Sequence, residues 1–291
     1  MFRPSPLLLL ALLPGVLAAQ GIPMPGQSAP GPVHHAAPPV RTTAASAHAA
    51  TPVVTLTLAE YRITGPASIP SGFTAFHAVD IGKEMHHAML VKLAPGKTVA
   101  DFAAALKVPG PPPAWATLMG GPQSSATTFI DMTPGNYIWI CVIPGADGVP
   151  HFAKGMMAPM TVTATRNGAA MPQADIAVTM QDYGWTFSKP VTAGHHILKL
   201  ATAPGQPHEF VLVRLKPGKS PTEVGAWVHA GFPGVSPIES VDGIAALQTG
   251  QTDYADVTFR PGHYAVFCFA PDAKDGKEHI EHGMVTDFTV R

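Results

Sequence analysis

Apolar and polar residues alternate in short stretches along the chain from residue 51 to its end. Residues 53–58 alternate cleanly, residues 73–81 alternate less cleanly, and residues 88–93 form an apolar run. Alternation with a period of two is typical of β-strands, and a short apolar run fits a strand buried on both faces. Gly- and Pro-rich segments between the stretches indicate turns. The pattern therefore predicts an all-β protein.

The pattern of strands occurs twice. Residues 51–165 and residues 174–291 each contain roughly seven such strands, and the polar linker 166–173 separates them. Each half also has one short helix after a Pro-Gly-Lys turn, and Ser220-Pro-Thr-Glu223 has the sequence of a capping box. We predict two tandem Greek-key β-sandwiches, each with a short inserted helix.

The two halves repeat one order of side chains that can bind a metal ion: histidine, cysteine, histidine and methionine. The first half has His86, Cys141, His151 and Met156, and the second half has His208, Cys268, His279 and Met284. The two cysteines are the only ones in the chain, and each falls at the end of a predicted strand. One thiolate, two imidazoles and one thioether are the ligands of a mononuclear blue-copper site.

Four neighbouring residues bear on these two sets. Met157 is an alternative to Met156, although matching the two halves selects Met156. His87 and Glu209 follow the first histidine of each half, and we expect both to lie beside the ligands rather than to bind the metal. We expect the same of His282 in the second half, which could also compete for the metal.

The first 50 residues predict an exported protein. Residues 1–18 have one basic residue, an apolar run and a small-residue end, which is typical of a secretory signal peptide. A retained anchor is the alternative, but the run is short and contains Pro14 and Gly15. Residues 19–50, rich in Ala, Pro and His, predict a flexible lead-in. We therefore expect the protein in the periplasm or otherwise outside the cytoplasm, soluble or peripherally attached to a membrane.

Export also raises the alternative that Cys141 and Cys268 form a disulfide. Such a bond needs Cα atoms within about 7 Å of each other, which equivalent strands of two separate domains are not expected to provide. The formal net charge of -1 and the 13% of charged residues give no electrostatic case for binding nucleic acid or an anionic membrane.

The segments that carry the ligands resemble those of the cupredoxins. The loop CVIPGADGVPHFAKGM, residues 141–156, is similar to the type 1 copper loop of copper nitrite reductases, and MHHAML, residues 85–90, resembles the segment that supplies their first histidine. The resemblance implies a cupredoxin-like fold over residues 51–291. It also implies that the eight residues of the two sets bind one or two copper ions.

The catalytic members of that family have a histidine directly before the cysteine, and the oxidases add His-x-His pairs. Here Ile140 and Phe267 precede the two cysteines, and the chain has no His-x-His pair. We therefore predict that the protein is not an enzyme, and the sequence identifies no small-molecule substrate.

Three functions fit these observations. The first is an exported electron-transfer protein that exchanges electrons with a redox partner protein. The second is a non-catalytic subunit, with little or no metal, docked on the periplasmic face of a respiratory or photosynthetic membrane complex. The third is periplasmic copper storage or delivery, suggested by the extra methionines and the His-rich lead-in.

Overall fold

The computed structural model describes residues 50–108 and 111–291. The predicted signal peptide and almost all of the lead-in lie outside the described residues. The first half contains β1 (Val53–Ala59), β2 (Arg62–Thr64), β3 (Ser68–Asp80), β4 (Met89–Leu93), α1 (Val99–Ala105), β5 (Ala116–Leu118), β6 (Thr127–Met132), β7 (Gly135–Ile140) and β8 (Met157–Arg166). A short 3-10 turn, His151–Lys154, precedes β8.

The second half repeats this order of elements. It contains β9 (Ile176–Gln181), β10 (Gly184–Phe187), β11 (Gly194–Thr202), β12 (His208–Leu215), α2 (Pro221–His229), β13 (Ile238–Leu247), β14 (Thr252–Phe259), β15 (Gly262–Phe267) and β16 (Val285–Val290). Its 3-10 turn, His279–His282, precedes β16. The described chain is thus mainly β-structure with two short helices, and none of the helices within residues 50–108 and 111–291 has the length and apolar character of a membrane span.

The strands of the two halves do not form four separate sheets. In the first half, the long strand β3 pairs with β1 and β6 through its later residues and with β8 through its first residues, and β8 continues through β7 and β4 to β5. In the second half, β14, β11, β9 and β10 follow one another, and β13, β12, β15 and β16 form a sheet of their own.

One sheet runs from the first half into the second, because β6 pairs antiparallel with β14 and places Phe129 opposite Tyr254. The segment before β6 also pairs with β13, where the Gly120 and Ala245 N–H groups donate to Ala246 and Gly121, respectively. Gly121 has φ +103°, and a Cβ there would lie 2.3 Å from the Ala88 carbonyl oxygen. The predicted division into two sandwiches and the predicted domain boundaries therefore stay predictions.

The strands bury apolar side chains in two main clusters, one in each half. In the first half, Phe76 packs edge-on against Trp139 with ring centroids 4.9 Å apart. In the second half, Phe259 packs in the same manner against Tyr264 at 5.2 Å. Burying side chains of this size supplies most of the free energy that holds such layers together, at about 25 cal/mol for each Å² of apolar surface removed from water.

Two tyrosines at equivalent positions fix the strands that lead to the cysteines. The Tyr137 hydroxyl donates to the Thr133 carbonyl at 2.7 Å, and the Tyr264 hydroxyl donates to the Arg260 carbonyl at 3.0 Å. Each hydrogen bond ties the start of its strand to the turn before it, much as the tyrosine corner of β-sandwich proteins does. Strands β7 and β15 are therefore anchored four residues before Cys141 and Cys268.

Candidate metal centre

Four second-half side chains with metal-binding atoms come together at one end of the sheet formed by β13, β12, β15 and β16. His208 begins β12, Cys268 follows β15 directly, His279 begins the 3-10 turn, and Met284 follows that turn. The cysteine N–H donates to the Met284 carbonyl at 3.4 Å, and the methionine N–H donates to the His279 carbonyl at 2.9 Å. The loop from cysteine to methionine is thus closed by its own backbone hydrogen bonds.

The potential donor atoms of this second-half site lie close to one another. The Nδ1 atoms of His208 and His279 are 3.2 Å apart, and the Cys268 Sγ is 3.3 Å from Nδ1 of His279. All three side chains are fully buried, as is Met284, which packs against the cysteine in one small apolar cluster. Two imidazole nitrogens and a sulfur therefore face a shared point from which water is excluded.

The outer nitrogen of each imidazole is held by a polar partner. Nε2 of His208 lies 3.2 Å from the Asp182 carboxylate, and Nε2 of His279 lies 3.4 Å from the Gln206 amide oxygen and 3.8 Å from the Asp272 carboxylate. A proton on each Nε2 satisfies these acceptors and leaves each Nδ1 free to bind a metal. Such partners are the usual means by which proteins orient histidine ligands.

Burial also sets the protonation of the donors. Burial, with a smaller contribution from the neighbouring His279, lowers the pKa of His208 to about 4. Burial also lowers the pKa of His279. Both imidazoles are therefore neutral at pH 7, which is the form that binds metals. Burial raises the pKa of the Cys268 thiol, so the thiol is protonated at pH 7 and would have to lose its proton to bind a metal ion.

The first half has the same loop but a different arrangement of its first histidine. Cys141 Sγ lies 3.5 Å from Nδ1 of His151, and the cysteine N–H donates to the Met156 carbonyl at 3.3 Å. His86, however, places Nδ1 2.9 Å from the Asp80 carboxylate, and its buried Nε2 has no hydrogen-bond partner among the described residues. Within residues 50–108 and 111–291, a cluster of two histidines and a cysteine with all donor atoms within 4.8 Å occurs only in the second half.

His87 and Glu209 connect the two segments that supply the ligands. The Val142 N–H donates to Nε2 of His87 at 3.1 Å, and the Phe269 N–H donates to the Glu209 carboxylate at 3.1 Å. Each donor N–H belongs to the residue directly after a cysteine, and each acceptor follows the first histidine of its half. The side chains differ, but the cross-link is the same in both halves.

The remaining predicted neighbours lie outside the cluster of donors. Met157 begins β8 and is partly exposed, whereas Met156 is fully buried. Nε2 of His282 lies 3.2 Å from the Asp275 carboxylate, on the outer side of the 3-10 turn. Cys141 and Cys268 are both free thiols, so the disulfide alternative is not what the structure contains.

One tyrosine lies beside the second histidine of each half, and neither was predicted from the sequence. Tyr61 and Tyr183 have φ values of +60° and +66°, which residues other than glycine seldom adopt. Their rings pack edge-on against His151 and His279 at 5.4 Å and 5.7 Å between centroids. A repeated signal exists, because both lie in the pattern acidic-Tyr-x-x-Thr, at residues 60–64 and 182–186.

No protein-family model matches the chain, and no curated protein matches it. Among solved structures, it is similar to reduced auracyanin from the photosynthetic bacterium Roseiflexus castenholzii, at 22% identity over 40% of this chain and 99% of that chain, with a TM-score of 0.27. It is also similar to a multicopper oxidase, at 14% identity over 82% of this chain and 88% of that chain, with a TM-score of 0.23. The chain is similar, too, to copper nitrite reductase from Nitrosomonas europaea, at 14% identity over 83% of this chain and 94% of that chain, with a TM-score of 0.23.

These similarities are distant, and the metal chemistry therefore rests on the side chains alone. The described chain is a mainly β protein with a buried cluster of His208, Cys268 and His279 and a methionine beside it.

Proposed function

We propose that the protein transfers single electrons through a copper ion bound by His208, Cys268 and His279, with Met284 as a weaker fourth ligand. The observation that carries this proposal is the convergence of two Nδ1 atoms and one Sγ, within 3.2–3.3 Å contacts, at a fully buried point. A set of one thiolate, two imidazoles and a thioether is characteristic of blue-copper electron-transfer sites.

The chain's own residues fit such an ion before it binds. Asp182 and Gln206 hold the outer nitrogens of the two histidines, and Glu209 holds the backbone after the cysteine. The ligands therefore need little rearrangement when the metal arrives, and burial keeps water from competing for it. When bound, copper supplies a one-electron couple between Cu(I) and Cu(II).

The residues directly before the cysteines support a carrier rather than an enzyme. Ile140 and Phe267 are both buried in apolar clusters, so neither position offers a ligand for a second metal ion. The redox partner in this proposal is another protein or a membrane-bound complex outside the cytoplasm. Export itself rests on the N-terminal sequence pattern.

A different role for the first half is favoured by the contact of His86 with Asp80. Since Nδ1 of this histidine is 2.9 Å from a carboxylate, the ring would have to change its hydrogen bonding to bind a metal as His208 does. We therefore propose that the second half carries the copper and that the first half serves chiefly as a scaffold. This division combines the electron-transfer hypothesis with the structural-subunit hypothesis.

The visible spectrum of the protein after addition of Cu(II) tests this proposal. We expect an intense thiolate-to-copper band with about one copper ion bound per chain. Cys268→Ser should abolish the band, and Cys141→Ser, at the equivalent position of the other half, is the matched control that should retain it. A colourless protein, or a band lost only in Cys141→Ser, would show that the assignment is wrong.

A further inference from the structure

A cavity of about 450 Å³ lies between the two halves, outside the donor cluster. Residues 142–146 and Gly148, from the loop that follows Cys141, form one wall. The opposite wall comes from the face of β12, β13 and β15 that points away from the second-half core, and α2 borders the cavity at the side. This volume is in the range of pockets that hold small molecules.

One carboxylate on the cavity wall is buried without a positive partner. Glu209 is only 7% exposed and uses one oxygen, Oε2, to accept the Phe269 N–H at 3.1 Å. Within residues 50–108 and 111–291, no Lys, Arg or His forms an ion pair with it. A buried carboxylate is costly unless it is paired, so this group favours a ligand that brings a positive charge.

The remaining wall of the cavity also suits a cation with an apolar body. Trp227, Phe232, Phe267 and Phe269 line it, and rings of this kind attract a cation over their faces. Among the described residues that line it, none is Lys or Arg, while Glu278 adds a second carboxylate beside His229 at 2.8 Å. The charges of the wall are therefore complementary to an ammonium group.

The first half shows that the cavity is not a general property of the repeat. There the matching sheet face, with Met89, Val91 and Leu93, is covered by Phe102 and Trp115 in one continuous apolar cluster. Their rings pack edge-on at 6.1 Å. In the second half, the equivalent face, with Val211, Val213 and Leu215, packs partly against Met85 of the first half and borders the cavity.

We propose that this cavity binds a small amine with an apolar, aromatic-sized body. The ammonium group donates to the free oxygen of Glu209, and the body lies against Trp227, Phe267 and Phe269. The buried Gln123 and His87 line the same cavity and can order the polar end of the ligand. None of the four proposed copper ligands lines the cavity. Glu209 nevertheless belongs to both places, since it also accepts the N–H directly after Cys268.

Calorimetric titration of the copper-free protein with benzylamine, and separately with benzyl alcohol, tests the proposal. The two probes have the same ring and differ in charge at neutral pH. We expect benzylamine to bind at least tenfold more tightly than benzyl alcohol. Equal affinities, or binding of neither probe, would overturn the proposal.

Three variants and one control separate charge recognition from filling of the cavity. Glu209→Gln keeps an acceptor oxygen for the Phe269 N–H but removes the charge. Benzylamine and benzyl alcohol should therefore bind this variant with nearly equal affinity. Val241→Trp places a large ring in the cavity and should abolish binding of both probes, and Val228→Phe on α2 repeats this test should the first variant fold poorly. Retained amine binding in both cavity-filling variants would contradict the assignment. Asp131→Asn, which removes an exposed carboxylate of the first half outside this cavity, is the control and should bind as the unaltered protein does.

Discussion

Replacing Glu209 with glutamine should change how the stability of the metal-free protein depends on pH. Burial raises the pKa of this carboxyl from 4.5 to about 7, and its hydrogen bond from Phe269 lowers it by a smaller amount. The folded protein therefore keeps a proton that the unfolded chain releases above pH 4.5. The contribution of this carboxyl to the free energy of unfolding is therefore fully present below pH 4.5, and it is lost as the pH rises through about 7.

The size of the effect follows from the two pKa values. Between the two pKa values, each pH unit lowers the free energy of unfolding by about 1.4 kcal/mol. The rise in pH from 4.5 to about 7 therefore lowers it by roughly 3 kcal/mol. The glutamine side chain of the variant has no group that titrates in this window. The free energy of unfolding of Glu209→Gln, minus that of the unaltered protein, should therefore increase by roughly 3 kcal/mol between about pH 4.5 and pH 8.

The equivalent residue of the first half gives a matched control of opposite sign. Burial lowers the pKa of His87 from 6.5 to about 4, so stability is full above pH 6.5 and is lost as the pH falls through about 4. The free energy of unfolding of His87→Gln, minus that of the unaltered protein, should therefore increase as the pH falls. Urea unfolding of chelator-treated protein at a series of pH values measures this difference for both variants. If the difference in unfolding free energy for Glu209→Gln stays constant or decreases as the pH rises, the pKa of Glu209 is not raised in the folded protein.

Three further substitutions test the fold. Gly121→Ala should destabilise by several kcal/mol, because it puts a Cβ 2.3 Å from the Ala88 carbonyl at φ +103°, whereas Gly148→Ala, with φ +75° and open space, should cost only about 1 kcal/mol. Similar urea midpoints for the two would contradict the close contact. Ser220→Ala should lower the unfolding free energy by about 1 kcal/mol, since the serine side chain accepts the Glu223 N–H at the start of α2. An unchanged thermal midpoint would speak against this cap.

The strands and the order of ligands could be predicted because both depend on local sequence. Alternation and turn residues predict most strands, and the capping box at Ser220 predicts where α2 begins. The length of β3 was missed, since Ser68–Asp80 pairs with three other strands and its middle residues, Thr74 to Phe76, are buried on both faces. The pairing of β6 with β14 was missed for a related reason: alternation shows which face of a strand is buried but not which strand lies beside it.

The polar residues that orient the histidines could not be predicted from the ligand motif. Asp182 precedes His208 by 26 residues, and Glu84, whose carboxylate lies 2.8 Å from Nε2 of His151, precedes that histidine by 67. Such partners meet only after the sheets have formed. The order of the ligands in the sequence also does not predict how the two halves differ. The difference is that Nδ1 of His86 faces Asp80, whereas Nδ1 of His208 faces the donor cluster.

Anomalous scattering at the copper absorption edge, from crystals of the copper-loaded protein, tests the central claim most directly. The account predicts a strong peak bounded by Cys268 Sγ and the Nδ1 atoms of His208 and His279. The peak should be absent from crystals of Cys268→Ser. A copper-loaded protein without density at this point, or with its main peak at the group of buried Asp272 and exposed Asp275 and His282, would contradict it.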